Sequence, residues 1–324
     1  MSTKIYKTFL DKNGCEIRKL AVSYSQLDTF LTCPRRWMYR YLRGYGKSDD
    51  TESTQLGTQV HASIEEYCKR LSEGYEWTIA EAIDLVQSNL NKRTIKFKDI
   101  DDEIVEQHKA MMEGLVTGNG ELAKLLDKCD VLAQELEFRL PIKLPFKVRD
   151  ENECLYDEVM LNGFIDLVLK DRDTGGIIVI DHKTGKSLFK PIKLKTNLQL
   201  PIYSLVIQSV YGKLPERCCY YFTRFDQLQD VQPLAIDDDS AECVYFKTGK
   251  RKGQLKSKQR TVKDIETELL SIFKRMYTSS SYITSSTPLC SWCEFGAYGD
   301  LRCDDAQFYK RSDIEIPLHN KVAL

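Results

Sequence analysis

The run from Gly163 to Thr184 constrains this chain more than any other. Gly163-Phe-Ile-Asp-Leu-Val-Leu-Lys170 reads as a strand, Asp171-Arg-Asp-Thr-Gly-Gly176 as a turn, and Ile177-Ile-Val-Ile-Asp-His-Lys-Thr184 as a second strand. A hairpin centred between Asp173 and Thr174 sets Asp166 opposite Asp181. Opposed residues on antiparallel strands hold their Cβ atoms roughly 5 Å apart. Two carboxylates so close repel unless a cation lies between them. Lys183 follows Asp181 by two, so the strand period places its ammonium on the same face. Such a set can hold Mg²⁺ or Mn²⁺ through oxygen, with a lysine beside it to stabilise charge developing on a phosphodiester. Asp-x-Lys also occurs on strands by chance, and cross-strand charge on a hairpin is usually a solvated face. The hairpin alone leaves both readings open.

The next segment narrows the choice. Leu198-Gln-Leu-Pro-Ile-Tyr-Ser-Leu-Val-Ile-Gln-Ser-Val-Tyr211 reads as a helix, with Gly212 as its C-cap and Pro201 in its first turn. Gln199 and Tyr203 are four apart and share a face. Upstream, Gly57-Thr-Gln-Val-His-Ala-Ser-Ile-Glu65 puts His61 and Glu65 on one face of another helix. Each helix alone also fits an amphipathic core element with a polar edge. In order, Gly57-Thr58…His61…Glu65, Gly163-Phe-Ile-Asp166, Asp181-His-Lys183 and Gln199-x-x-x-Tyr203 resemble the RecB-like branch of the PD-(D/E)XK nuclease superfamily, over residues 23–303.

That resemblance implies roles. Asp166 and Asp181 would ligate the metal, joined by the backbone carbonyl of His182 and, from the helical side, by His61. Lys183 would orient the attacking water and stabilise the phosphorus centre, while Gln199 and Tyr203 would position the lysine or a substrate phosphate. A further acid is expected from the 131–140 strand; Glu135 and Glu137 share a face, and Glu135 is taken. Asp181 stands where the superfamily often has Glu, and its shorter side chain needs a closer metal.

The chain has 11 cysteines, an odd number. Met1-Ser-Thr-Lys-Ile-Tyr-Lys7 has no apolar core of a signal peptide, and no long apolar run is present. A reducing, cytoplasmic setting without a disulfide framework or membrane contact is therefore expected. Cys290-Ser-Trp-Cys293 is a C-x-x-C followed by Cys303, and Cys33 lies at the other end of the chain in Leu31-Thr-Cys-Pro-Arg-Arg36. One early cysteine and three late ones resemble the iron–sulfur subgroup of these nucleases, which includes the CRISPR-associated and AddB-type enzymes. The resemblance implies a [4Fe–4S] cluster on Cys33, Cys290, Cys293 and Cys303, acting as a staple; thiolates also suit Zn²⁺. The gap from Cys293 to Cys303, filled by Glu294 to Arg302, is longer than that pattern has.

Lys+Arg number 47 and Asp+Glu 48, a net charge of −1, so total charge does not announce a nucleic-acid binder. Distribution does more. Lys247 to Lys263 is free of acids and carries Lys250, Arg251, Lys252, Lys256 and Lys258; it reads as a mobile phosphate-tracking loop or a solvated one. Arg35-Arg-Trp-Met-Tyr-Arg-Tyr-Leu-Arg43 interleaves cations and aromatics, so Arg35 and Arg36 are candidate DNA contacts while Trp37 and Tyr41 read as core. The expected fold is α/β: a restriction-endonuclease-like core with a mixed sheet flanked by helices, an inserted helical subdomain, and a cysteine-ligated cluster joining the terminal segments. The expected segments are 1–22, a helical subdomain over 23–130, a nuclease core over 131–260, a helix and cluster loop over 261–310, and a tail over 311–324. The expected function is metal-dependent DNA exonuclease in repair, recombination or phage and viral DNA processing, on single strands or duplex ends, with a helicase or recombination partner. Alternatives are a catalytically silent DNA-binding subunit of a helicase or integration complex, or an iron–sulfur redox protein. Oligomeric state is not legible.

Overall fold

The computed structural model describes residues 5–10, 13–45, 51–95, 101–150, 152–245, 247–248, 250–279, 281–285, 290, 293–295 and 303. The expected tail at 311–324 lies outside them. The chain divides into two compact units, one of residues 1–48 with 274–324 and one of residues 49–273.

The smaller unit begins with a hairpin of β1 (Tyr6–Leu10) and β2 (Glu16–Val22), in a register running from Tyr6 opposite Leu20 to Leu10 opposite Glu16. Gly14 takes the positive φ of +77° that the Asn13-Gly14 turn requires. Ser23 caps α1 (Tyr24–Thr32) by accepting from Gln26 N. Pro34 forces Cys33 into extended backbone, which separates α1 from the short α2 (Pro34–Trp37). A π-helical turn follows over Met38–Leu42. Trp37 is fully buried and packs against the rings of Phe30, Tyr277 and Tyr282 at 5.6, 6.2 and 5.7 Å. Tyr41, also expected in the core, stays half-buried.

The larger unit opens with four helices: α3 (Glu52–Ser72), α4 (Ile79–Asn91), α5 (Asp101–Thr117) and α6 (Glu121–Leu126). Thr51 caps α3, its side chain accepting from Thr54 N. α6 stops at Leu126, and Cys129 opens the first strand of the sheet. The sheet contains β3 (Cys129–Arg149), β4 (Leu155–Asp171), β5 (Ile177–Lys183), β6 (Arg217–Phe222) and β7 (Gln227–Val231), hydrogen-bonded in that order. β5 and β6 are parallel, and α7 (Pro191–Thr196) with α8 (Gln199–Tyr211) makes the crossover between them; the other pairs are antiparallel. The sheet is therefore mixed, and helices cover both faces. Leu56, Val60 and Ile64 of α3 share a core with Ile178 and Ile180 of β5. Alternation turns Val179 and Asp181 to the opposite face, which α8 covers.

β8 (Cys243–Tyr245) and β9 (Leu255–Lys258) form a separate two-stranded ribbon. The basic 247–263 segment is thus not aperiodic throughout, since its own Leu255–Lys258 pairs back on Cys243–Tyr245. The last helix, α9 (Val262–Thr278), contains the division between the units.

Gly212 ends α8 with φ +73°, and no atom lies within 4 Å of a Cβ built there. Gly212→Ala therefore carries backbone strain without a clash, costing about 1 kcal/mol. Thermal melting should show Tm lower by roughly 2–4 °C; an unchanged Tm would contradict the left-handed cap.

Candidate functional site

The antiparallel ladder of β4 and β5 pairs Lys170 with Ile177 and continues to Leu167 with Ile180. One more step in this register faces Asp166 to Asp181. There the Asp166 carboxylate Oδ2 accepts the backbone N–H of His182 at 2.6 Å. Side chain replaces backbone as the acceptor where the strands part.

Asp181 is 2 % exposed. Its Oδ1 accepts from Gln199 Nε2 at 2.6 Å and from the Tyr203 hydroxyl at 3.3 Å. Its Oδ2 lies 2.6 Å from Lys183 Nζ, yet at an angle that makes no hydrogen bond. Lys183 Nζ donates instead to Gln199 Oε1 at 2.9 Å. One amide therefore gives its N–H to the carboxylate and its oxygen to the ammonium, which fixes its orientation. Gln199 is held in turn at the start of α8, where Asn197 Oδ1 accepts its backbone N–H at 2.8 Å and the Tyr220 hydroxyl at 2.8 Å. Phe138 packs edge-on to Tyr203 at 5.9 Å and lies over Gly163, where a Cβ would come within 3.1 Å of its ring.

From α3, His61 Nδ1 lies 3.6 Å from Asp166 Oδ2 and 3.7 Å from Glu135 Oε1. Glu65, one turn on, is exposed. Glu135 has φ +44°, a left-handed conformation that costs a non-glycine residue about 1–3 kcal/mol. Of the two strand acids, it is Glu135 that meets His61; Glu137 points away and pairs with Arg139 at 2.8 Å.

Burial pushes the Asp166 carboxyl up to about 7, helped by repulsion from Asp181 and opposed by His61 and the His182 N–H. The surrounding protein pulls His61 down, but Asp166, Glu135 and Asp181 together outweigh it and raise the imidazole to about 8. Burial, then Asp181 and Asp166, holds the Tyr203 hydroxyl well above its ordinary range, so it acts as a donor. His182 is driven far down by burial and by the cations His61 and Lys183, so its ring is neutral. Its ring meets that of His61 edge-on at 5.4 Å. Among the described residues, one ring nitrogen each from His61 and His182 and a carboxylate oxygen of Asp166 lie within 4.8 Å of one another. A buried carboxylate with suppressed charge beside oxygen and nitrogen atoms without hydrogen-bond partners is a donor set that fits a divalent cation.

The family model of the PD-(D/E)XK nuclease superfamily matches residues 21–298. The chain belongs to the PD-(D/E)XK nuclease superfamily. Asp166 and Asp181-His-Lys183 lie within the matched span, at the place where β4 and β5 separate. The solved structure of SSO0001 is 14 % identical, covering 72 % of this chain and 99 % of its own, with a TM-score of 0.26. No curated protein matches the chain.

Two residues around the superfamily motif escaped the sequence reading. Thr223 donates its backbone N–H to the Lys183 carbonyl at 3.0 Å. His108 of α5 is fully buried, with Nδ1 2.7 Å from the Ile104 carbonyl and Nε2 3.1 Å from the Thr223 hydroxyl. The carbonyl requires a proton on Nδ1, so Nε2 accepts from Thr223. Burial lowers this imidazole to about 4, which keeps that tautomer neutral. His108 thus braces the end of β5, and nothing in its helical spacing separates it from an ordinary core residue.

In the smaller unit, Cys293 N donates to the Cys290 carbonyl at 3.3 Å, and Cys303 N donates to the Phe295 carbonyl at 2.9 Å. Burial raises the Cys293 thiol, and Cys33 is close enough to raise it further. No three of these thiols lie within 4.8 Å of one another. Arg35 Nε donates to the Tyr282 carbonyl at 2.6 Å, and Arg36 and Arg40 each lie 3.7 Å from Glu294. Both candidate DNA-contacting arginines are therefore engaged with the C-terminal segment. Lys250, Arg251, Lys252, Lys256 and Lys258 are exposed on the β8–β9 ribbon, with Lys258 paired to Asp238.

The raised Asp166 carboxyl makes a testable statement about stability. Its folded form keeps a proton up to about pH 7 that the unfolded chain releases near the ordinary aspartate value of 3.8. Its contribution therefore falls as pH rises through that window and is most unfavourable above pH 7. His61, whose protonation opposes this, is neutral above about 8. At a pH of about 9 without metal, Asp166→Asn should be more stable than the parent by on the order of 1–3 kcal/mol. Added Mn²⁺ should raise the Tm of the parent but not of the variant. A lower Tm for the variant at that pH would contradict the assignment.

Proposed function

We propose that this chain is a metal-dependent deoxyribonuclease of the RecB-like branch, acting as an exonuclease in DNA repair, recombination or phage and viral DNA processing. The observation that carries it is the Asp181–Gln199–Lys183 triangle set beside Asp166 and His61. His61, Asp166 and Asp181, with the His182 carbonyl and Glu135, would hold Mg²⁺ or Mn²⁺. A bound divalent ion supplies polarisation of the phosphate and a water of lowered pKa. Lys183 brings a cation to the place where negative charge grows on the phosphate, and it orients the attacking water. Gln199 and Tyr203 hold Lys183 and Asp181 in fixed relation, so little reorganisation is needed during reaction. The exposed cations of the ribbon follow the phosphate backbone of DNA, an interaction that weakens with salt.

Lys183→Ala should lower cleavage of labelled linear oligonucleotides by at least about 10²–10³-fold while Mn²⁺ binding by calorimetry persists. Unchanged cleavage would sink the mechanism. Linear DNA degraded while circular DNA is spared supports end-directed action, and the reverse result would exclude it. Binding of DNA without metal-dependent cleavage by the parent chain would favour a silent DNA-binding subunit instead.

In the smaller unit, Cys33, Cys290, Cys293 and Cys303 are proposed to hold a [4Fe–4S] cluster as a structural staple. Thiolates suit either a [4Fe–4S] cluster or a single Zn²⁺, and the resemblance to the iron–sulfur subgroup favours the cluster. Protein purified without oxygen should carry about four irons per chain, and Cys303→Ala should lose iron and lower Tm. One zinc per chain in place of iron would overturn the cluster assignment.

A further inference from the structure

We propose that the imidazole of His182 is itself a metal ligand, which sets a second imidazole beside His61 among the carboxylates already assigned and favours Mn²⁺ and similar first-row ions over Mg²⁺. This rests on the nuclease reading above and adds a ligand and a selectivity to it.

The residues on one face of β5 are Ile178, Ile180 and His182. The first two belong to the apolar core shared with α3, and the third breaks that apolar series where the strand reaches His61. His182 is 4 % exposed and also packs edge-on to Tyr221 at 5.9 Å. A phenylalanine or leucine would fill this space without a polar atom. His182 instead carries a buried Nε2 that has no hydrogen-bond partner. Such an atom costs about 1–3 kcal/mol when nothing binds it.

The two aspartates already have protein partners that hold them in place. Asp181 Oδ1 serves Gln199 and Tyr203, and its Oδ2 lies against Lys183. Asp166 Oδ2 takes a backbone N–H. The His182 ring nitrogen falls within 4.8 Å of donor atoms on both His61 and Asp166, without rearrangement of the backbone. Two imidazoles and a carboxylate form the donor set that suits Mn²⁺, Fe²⁺ or Co²⁺. Mg²⁺ prefers oxygen and keeps its waters, so a second nitrogen gains it little.

The test uses the full chain loaded with Mn²⁺ and pulsed electron paramagnetic resonance, which counts coupled imidazole nitrogens. Wild-type protein should show two directly bound imidazoles, while His182→Phe and His61→Phe should show one each. By calorimetry, His182→Phe should weaken Mn²⁺ binding at least about tenfold and leave Mg²⁺ within about threefold. The substitution keeps the backbone carbonyl and the aromatic packing, so any difference belongs to the ring nitrogen. A single imidazole in the wild type, or equal loss of both metals in His182→Phe, would overturn the proposal. The wild-type spectrum decides the point even where the variant fails to fold. Failure of the nuclease reading looks different: wild-type protein would then bind neither ion and cleave no DNA. Mn²⁺-dependent cleavage with one bound imidazole would sink only the present inference.

Discussion

Two carboxylates, Asp166 and Asp181, face one another where the β4–β5 ladder ends, and the rest of the larger unit is arranged around that grouping. Asp166 is raised to about 7 by burial and by its neighbour. Its nearest cationic group, His61, stands 3.6 Å away and must keep its own proton to help. Lys183 sits against Asp181 rather than between the two acids. A divalent ion would add positive charge beside these acids, and the surrounding atoms include oxygen and nitrogen donors.

The fold supplies this unfavourable grouping at tolerable cost because each element does a separate task. β5 is buried on both faces, so its apolar residues anchor the strand while Asp181 is delivered to the α8 side. The parallel pairing of β5 with β6 requires a crossover, and that crossover is α8, which brings Gln199 and Tyr203 onto the carboxylate. α3 packs on the other face and lends His61 at the point where the ladder of β4 and β5 ends. His108 and Thr223 hold the Lys183 backbone from behind. The strain at Glu135, φ +44°, lies at this same junction, where β3 turns an acid toward His61.

Much of this was legible because the governing periods are short. The symmetry of the Asp171–Gly176 turn was enough to set the register of Asp166 against Asp181, since a strand pair has no other freedom once its turn is centred. The spacing of Gln199 and Tyr203 was enough to put them on one face of α8. Other features depend on long-range packing and left no local mark. Glu135 and Glu137 have the same strand phase, and only the left-handed backbone at Glu135 separates them. His108 is one more residue on the buried side of an amphipathic helix until Thr223 of a distant loop is placed against it. The ribbon within the basic segment was hidden because Lys and Ser in Leu255–Lys258 carry no strand-like alternation.

The cysteine segment shows the same division between local and distant information. By spacing alone, the residues separating Cys293 from Cys303 place the last thiol too far along the chain. Chain length is a poor measure of separation where the backbone folds back, and here Cys303 N reaches the Phe295 carbonyl at 2.9 Å. Glu294, inside the same turn as Cys293, meets both Arg36 and Arg40, on either side of Trp37. The cations that looked suited to phosphate are drawn into ion pairs that seat the C-terminal loop on the Cys33–Leu42 stretch. That stretch owes its bend to Pro34, which ends one helix, starts another, and leaves Cys33 extended between them. A single proline thereby sets both the extended backbone of Cys33 and the start of the helix that carries Arg35 and Arg36.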